Sequence, residues 1–292
     1  MYRYLLAPIA ALTLSTAACS QETVAPAPES GPAALCPDGF AALQSDTPGA
    51  AIDLLEACLS ARQYPWRDEL ELRARLGAAH LVGGDGEQAL FSFDQALGLL
   101  QDNGAGTDNP LLRRNRAAAL LLLDRHEDAL RDLETALSSP RTDAFTHLLH
   151  GSTLLELERA AEAVAAFDAA IRIEGDFIDA WAGRSAAFID LELFDRAVED
   201  GREAVAIDPE DATALNALCW SLVKAERAAD GMEICEQAVA ANPDSGSITH
   251  SLAAAREQVG ETREARRLYA LAFELDPDND EIVADYERTR RR

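Results

Sequence analysis

Basic and aromatic residues are both scarce in this sequence. Acidic residues number 51 against 26 basic ones, which gives the 292-residue chain a formal net charge of −25, and Lys224 is its only lysine. Aromatic residues make up only 6% of a chain that is 48% hydrophobic, so the core must consist mainly of alanine and leucine, a composition that favours closely packed helices. The acidic excess opposes the phosphate contacts that supply most nucleic-acid affinity, so we expect no DNA or RNA partner.

The motifs of common enzymes and metal sites are absent or incomplete. The chain contains no G-x-S-x-G, G-x-x-x-x-G-K-[ST], H-E-x-x-H or C-x-x-C, and it has only five histidines. His147 and His150 are spaced i, i+3, but no further Cys or His joins them, so packing is the better interpretation. A calcium-loop pattern also fails, because its obligatory glycine is Glu281; its acidic positions would be Asp276, Asp278, Asp280 and Glu287. We therefore predict no catalytic residue, no metal and no cofactor.

The first 18 residues are typical of an export signal. Arg3 supplies a positive charge, residues 4–14 form an apolar stretch too short to span a bilayer, and small residues precede Cys19. Residues 16–19, Thr-Ala-Ala-Cys, resemble the lipobox of bacterial lipoproteins. This resemblance implies that residues 1–18 are removed and that Cys19 becomes a lipidated N-terminus.

The alternative for the N-terminus is ordinary signal cleavage near Ala18 or Ala27, without lipid. Within the lipoprotein family, Ser20 after the cysteine implies sorting to the outer membrane. Residues 19–35 are rich in proline, alanine and acidic residues, a composition typical of a disordered tether. We expect an exported envelope protein that faces the periplasm and touches the membrane only through its lipid.

A fixed period of 34 residues is the strongest signal in the sequence. One column of small residues consists of Ala129, Ala163, Ala197, Gly231 and Ala265. A second column, seven residues further on, consists of Ala136, Ala170, Ala204, Ala238 and Ala272. Antiparallel helices approach closely only where neither presents a large side chain, and an i, i+7 pair keeps one face of a helix towards its partner. Each period therefore predicts one helical hairpin.

One period carries the pattern of a known family. Its distinguishing residues are Trp181, Phe188, Ala197, Ala204 and Pro209. With them the sequence resembles the tetratricopeptide repeat family, and more narrowly the tetratricopeptide lipoproteins of bacterial envelopes. We predict an all-α fold, an α-solenoid of about seven hairpins within 36–292, with 101–109 as an inserted loop and 280–292 as a C-terminal capping helix. The predicted units are 37–64, 70–103, 110–143, 144–177, 178–211, 212–245 and 246–279.

Four cysteines follow Cys19, an even number in a chain addressed to an oxidising compartment. In an antiparallel hairpin, residues equally distant from the turn lie opposite each other. This places Cys219 opposite Cys235, and Cys36 opposite Cys58, so we predict two disulfides. The alternative is four buried free thiols that pack as small hydrophobic residues.

The family resemblance also implies a binding surface. In tetratricopeptide proteins the first helices line a concave groove that holds a peptide, helix or loop of a partner. The family's groove positions correspond here to Arg114, Phe145, Leu148, Ser152, Ala186, Asn216, Trp220 and His250. This lining is mainly apolar and small, so we expect an apolar segment as ligand, with Trp220 projecting into the groove as its aromatic anchor. The alternative is that Trp220 packs beneath the next unit.

These observations predict a non-enzymatic scaffold or adaptor that is an outer-membrane lipoprotein. A non-lipidated periplasmic assembly or regulatory subunit is one alternative, and a cell-wall enzyme is another. The basic C-terminus, which consists of Arg288, Arg290, Arg291 and Arg292, has two interpretations: it stabilises the negative end of the last helix, or it contacts an anionic lipid or polymer.

Overall fold

The computed structural model describes residues 36–44, 47–106, 109–140 and 142–291. Within these ranges the chain forms 15 α-helices and no β-strand, which confirms the all-α solenoid fold. The predicted signal peptide, Cys19, the tether up to residue 35 and Arg292 lie outside the described residues. No helix in the described part of the chain is both long and apolar enough to cross a membrane.

The helices fall into two compact units, which meet in the sequence between residues 142 and 143. The N-terminal unit contains α1 Pro37–Gln44, α2 Pro48–Ala61, α3 Trp66–Val82, α4 Gly86–Asp102, α5 Pro110–Leu122 and α6 His126–Leu137. The C-terminal unit contains α7 Ala144–Glu156, α8 Ala160–Ile173, α9 Ile178–Asp190, α10 Phe194–Ile207, α11 Ala212–Lys224, α12 Ala228–Ala241, α13 Gly246–Gln258, α14 Thr262–Leu275 and α15 Asp280–Arg290.

Two of these bounds differ from the sequence-based units. The third helix begins at Trp66, four residues before the predicted start of its unit, and α4 continues to Asp102, so the predicted insertion begins with helical residues.

Within the C-terminal unit, successive helices pair as hairpins, and the first helices of neighbouring hairpins also contact one another directly. The second helices pack mainly against the first helices that precede and follow them. The first helices α7, α9, α11 and α13 therefore form the more closely packed layer of this unit. We call it the first-helix layer.

Local chemistry sets where the helices begin and end. Side chains of Asn109, Asp143, Asp211 and Ser245 cap the N-termini of α5, α7, α11 and α13 by accepting a backbone N–H. The first helices end at turns whose backbone is left-handed, with Gly84 and Gly260 in two of them. Four other turns place an acidic residue in this conformation, at φ between 54° and 58°: Asp124, Glu158, Glu192 and Glu226.

The small residues predicted from the repeat allow close approach of the helices. Phe167 of α8 is fully buried between Gly151 of α7 and Gly183 of α9. A Cβ atom at Gly183 would lie 2.5 Å from Phe167 Cε1, and one at Gly151 would lie 2.7 Å from the same atom. Glycine is therefore required at both positions because the aromatic ring occupies the space of a methyl group.

An arginine joins three helices in each unit. Arg184 of α9 donates two hydrogen bonds of 2.8 Å to the carboxylate of Asp200 in α10 and also pairs with Asp168 in α8. Arg116 of α5 forms the corresponding ion pairs with Asp94 in α4 and Asp132 in α6. Each arginine thus connects its own hairpin to the preceding one.

Both predicted cysteine pairs lie at disulfide distance. Cys36 and Cys58 join α2 to the residue before α1, with their Cα atoms 5.9 Å apart. Cys219 and Cys235 join α11 to α12, with their Cα atoms 5.0 Å apart. The second pair is buried in the core of the C-terminal unit, where Gly231 also brings the two helices close together.

Removing the second disulfide is expected to destabilise the C-terminal unit. We expect Cys219→Ala with Cys235→Ala to lower the free energy of unfolding by about 3 kcal/mol, because the bond closes a loop of this size in the unfolded chain. Urea unfolding under oxidising conditions measures the difference. Unfolding at the same urea concentration as the unaltered protein, or full alkylation of the four thiols in protein isolated without reductant, would show that the bond does not form.

Candidate functional site

Most of the predicted groove residues are buried. Seven of the eight belong to the C-terminal unit, and Arg114 belongs to the N-terminal unit, where its guanidinium donates to Asn115 Oδ1 at 3.0 and 3.1 Å. The buried members of the set are Arg114, Leu148, Ser152, Trp220 and His250. The half-buried members are Phe145, Ala186 and Asn216. The accessible part of the predicted surface is thus limited to these three side chains.

The burial of Trp220 agrees with the alternative that it packs beneath the next unit rather than projecting into the groove. Its side chain is only 6% exposed and belongs to a core cluster with Phe188, Leu252 and Tyr269. The ring of His250, from the next repeat, lies 5.5 Å from the indole, and the ammonium of Lys224 lies 5.1 Å from the ring centroid. Side chains of the following hairpin cover the indole, so its first role is to pack that hairpin.

A polar network extends from this cluster to the last helix. His250 Nε2 lies 2.9 Å from Asp285 Oδ2 in α15, and Arg288 of α15 donates to both carboxylate oxygens of Glu257 in α13. Tyr269 donates to the same carboxylate at 2.9 Å, and burial, followed by the neighbouring carboxylates, raises the pKa of its hydroxyl. These bonds account for Arg288, the first arginine of the basic C-terminus, as part of the packing of α15. Arg290 and Arg291 pair with Glu287 on the exposed surface.

Two polar atoms of α11 are buried without a hydrogen-bond partner in the described part of the chain. They are Asn216 Oδ1, an acceptor, and Trp220 Nε1, a donor. The two residues are spaced i, i+4, so they are neighbours on one side of the helix. Buried polar groups nearly always have a partner, so these two atoms are exceptions within α11. The oxygen of Asn216 is buried, although the residue as a whole is partly accessible.

A cavity of about 670 Å³ opens beside the C-terminal ends of the first helices in this unit. Its apolar lining includes Leu155, Ile189 and Leu191, and its charged lining consists of Glu158, Arg159, Glu162, Asp190, Lys224 and Glu281. None of these residues was singled out as a binding residue from the sequence.

The two histidines considered for a metal site are in α7. Burial lowers the pKa of His150 to about 4, and the neighbouring His147 contributes to the same direction. Burial also lowers the pKa of His147. In the described residues no group of three or more His, Cys, Asp or Glu side chains is arranged to hold a metal ion.

A second half-buried titratable group has a pKa shifted in the opposite direction. Burial raises the pKa of Asp179 in α9 to about 6, and the nearby carboxylate of Asp211 adds to this shift.

His150 and Asp179 therefore act on stability in opposite directions at acidic pH. The folded state resists protonation of His150, so stability is lost as the pH falls from about 6.5 to about 4. Protonation of Asp179 relieves an unfavourable charge, so stability is gained as the pH falls through about 6.

Single substitutions should separate these two effects. We expect Asp179→Asn to lose more stability than the unaltered protein between pH 7 and pH 4, because the His150 contribution is no longer offset. We expect His150→Gln to lose less over the same range. Each contribution amounts to about 3 kcal/mol at about 1.4 kcal/mol per pKa unit. Urea midpoints measured across this range test the prediction, and parallel pH profiles for all three proteins would contradict it.

Comparison with known proteins agrees with this architecture. A tetratricopeptide repeat family model matches residues 146–177, which include most of the α7–α8 hairpin. No curated protein sequence matches the chain. A solved tetratricopeptide repeat protein of Parabacteroides merdae is 17% identical, covers 88% of this chain and 97% of its own length, and superposes with a TM-score of 0.71.

Two further solved structures are similar to shorter parts of the chain. A thermophilic tetratricopeptide protein of Thermus thermophilus is 19% identical and covers 62% of this chain and 98% of its own length, with a TM-score of 0.55. YrrB, described as a tetratricopeptide protein with an unusual peptide-binding site, is 15% identical and covers 69% of this chain and 98% of its own length, with a TM-score of 0.50.

At these identities the likeness to solved structures shows the fold. This fold is generally that of an interaction scaffold, because stacked helical repeats form extended binding surfaces. The family model identifies one repeat directly, and the other hairpins of the described chain have the same helical architecture. The chain therefore contains a tetratricopeptide repeat at residues 146–177 and has the fold of solved tetratricopeptide repeat proteins.

Proposed function

We propose that this chain is a non-enzymatic adaptor of the bacterial envelope that binds a segment of a partner protein on the first-helix layer of its C-terminal unit. The observation that carries this proposal is that Phe145, Ala186 and Asn216, on three successive first helices, are the partly accessible members of the predicted groove set. A partner's side chains could contact the phenyl ring, the alanine and the accessible part of the Asn216 side chain. The description of YrrB as a peptide-binding protein is consistent with this kind of ligand.

The proposed location rests on the sequence of the N-terminus and on the cysteines. Two disulfides favour an oxidising compartment, as expected for an exported protein. We propose that Cys19 is lipidated and anchors the protein to the outer membrane, facing the periplasm. Mass spectrometry of the mature protein should find a lipidated N-terminus at Cys19. An unmodified N-terminus near residue 21 or 27 would instead support a non-lipidated periplasmic subunit.

Photo-crosslinking tests the proposed binding surface. Benzoylphenylalanine in place of Phe145 preserves an aromatic ring at the surface, and the same residue in place of Ala186 samples the neighbouring helix. We expect both to form a crosslink to the same partner in intact cells. The control replaces Glu203, an exposed residue of the second helix α10. A partner that crosslinks equally well from position 203, or only from there, would place the binding surface on the second helices.

The burial of Trp220 leads to a further expectation. We expect Trp220→Ala to lower the melting temperature strongly, because truncation of a buried tryptophan typically costs about 3–5 kcal/mol. Asn216→Ala should leave the melting temperature nearly unchanged and reduce partner binding. Thermal unfolding and binding measured on the same preparations separate the two roles. A stable Trp220→Ala protein that has lost only its partner would restore the anchor interpretation.

A further inference from the structure

The cavity of the C-terminal unit combines an apolar floor with a charged rim. Leu155 and Ile189, at the C-terminal ends of α7 and α9, are buried and contribute the floor, whereas Leu191 is exposed at the edge. This floor can accept an aliphatic side chain of a partner. Because burial of such a side chain is favourable, this floor favours a ligand with at least one apolar residue.

The rim carries more negative than positive charge. Four carboxylates and two cations line the cavity. Arg159 donates to both carboxylate oxygens of Glu162 at 2.7 Å, so these two charges offset each other. Glu158 and Glu281 add two further negative charges to the rim, and Lys224 is the second cation of the described lining. A cleft with low-dielectric walls and charge of one sign concentrates the opposite charge, so this rim favours a cationic ligand.

The negative charge continues beyond the cavity along the same set of turns. Glu158, Glu192 and Glu226 occupy the corresponding turn of three successive hairpins, and all three side chains are exposed. A ligand that extends from the cavity along these turns meets one carboxylate per hairpin. The charge pattern therefore suits an extended segment with several basic residues better than a small monovalent cation.

The only lysine of the chain already lies at this cavity. Lys224 lines it, and its ammonium is 5.1 Å from the centroid of the Trp220 ring, within the range of a cation–π interaction. The cavity thus accommodates an ammonium group of the protein itself. The same ammonium repels a second cation nearby, so Lys224 should weaken the binding of a basic ligand while the carboxylates strengthen it.

We propose that this cavity binds a partner segment in which lysine or arginine residues alternate with aliphatic ones. The aliphatic side chains pack on Leu155 and Ile189, and the cations lie beside Glu158 and Glu281. This proposal rests on the proposed function, the binding of a partner protein by the C-terminal unit, and adds the charge of the segment to the apolar character expected from the sequence.

Binding of labelled synthetic peptides tests the proposal. The probe is a short peptide of alternating leucine and lysine, and its matched controls carry glutamine or glutamate in place of lysine. Fluorescence anisotropy with the full mature chain should show binding of the lysine peptide, weaker binding of the glutamine peptide and no binding of the glutamate peptide. Because the rim is exposed, the affinity for the lysine peptide should also fall as salt is added.

Substitutions that remove a carboxylate and one that removes the ammonium of Lys224 should change the peptide affinity in opposite directions, which makes the test specific to the cavity. We expect Glu158→Gln and Glu281→Gln each to weaken binding of the lysine peptide about two- to fivefold, as exposed ion pairs do, and Lys224→Met to strengthen it about twofold. Methionine retains an unbranched apolar stem over Trp220, which limits any effect on folding. The control is Glu203→Gln on α10, which removes the same charge away from the cavity and should leave the affinity unchanged.

Several outcomes would overturn the proposal. One is equal affinity for the lysine and glutamine peptides, and another is an effect of Glu203→Gln as large as that of Glu158→Gln. Either result contradicts a basic ligand but leaves the proposed function open. A partner crosslinked from positions 145 and 186 would then still support the proposed function, and its binding segment would be uncharged. Absence of binding by all three peptides also overturns the inference, and absence of any crosslink from the first-helix layer separately contradicts the proposed function.

Discussion

Phe167→Ala is expected to lower the free energy of unfolding by about 4 kcal/mol, the typical cost when a fully buried phenylalanine is truncated. The ring is completely buried, and both neighbouring helices carry glycine where they meet it, so no side chain is available to fill the space. Hydrogen exchange of the segment from α7 to α9 should show the loss directly. A change below about 1 kcal/mol would mean that the two helices can close over the cavity.

The same site offers a compensating substitution. In the unaltered protein we expect Gly183→Ala to cost about 1–3 kcal/mol, because the new methyl group would clash with the Phe167 ring. In the Phe167→Ala background the methyl group enters the space that the ring has left, and alanine also favours the helix by about 1 kcal/mol over glycine. We therefore expect Gly183→Ala to be neutral or stabilising there. The same cost in both backgrounds would show that Phe167 is not the constraint.

Arg184→Ala is expected to destabilise the C-terminal unit by about 3 kcal/mol, because it leaves the Asp200 carboxylate buried without its partner. The Asp200 side chain is only 7% exposed and accepts two hydrogen bonds from this guanidinium. Burial raises the pKa of Asp200, and the bonds from Arg184 offset part of this shift. Chemical denaturation of Arg184→Ala, followed by circular dichroism, measures the loss.

Two controls identify the cause of that loss. Arg267→Ala removes an exposed arginine from an ion pair with Glu264 and should leave the melting temperature nearly unchanged. The loss in Arg184→Ala should also be smaller at pH 5 than at pH 8. Without the guanidinium the pKa of Asp200 rises further, so the carboxyl group becomes neutral at a higher pH and its burial then costs less. A loss that does not change with pH would indicate packing rather than an unpaired charge.

The features that could be predicted from the sequence depend on the repeat period. Five units in one register place each small residue at the same point of a hairpin, so the all-α solenoid follows from spacing alone. The pairing of Cys219 with Cys235 follows in the same way, because both lie equally far from the turn of one hairpin. The start of α3 at Trp66 was missed, because residues before position 70 do not belong to the repeated columns.

The features that could not be predicted depend on contacts between hairpins. The repeat position of Trp220 indicates that it belongs to the first-helix layer, but its depth is set by His250 and Tyr269 from the following hairpin. The cavity brings together residues 155, 189, 224 and 281, which no single repeat contains. The turns provide a partial signal. The left-handed position holds glycine in two of these turns and glutamate at 158, 192 and 226. The recurrence of glutamate at one repeat position could have predicted a row of carboxylates along these turns.

The central claim is that the first-helix layer of the C-terminal unit binds a partner protein. The most direct test measures the affinity of the crosslinked partner, once purified, for the unaltered chain and for Phe145→Ala combined with Asn216→Ala. We predict a loss of at least about tenfold, equivalent to about 1.4 kcal/mol, with a melting temperature close to that of the unaltered protein. Unchanged affinity, or affinity that falls only in step with the melting temperature, would contradict the claim.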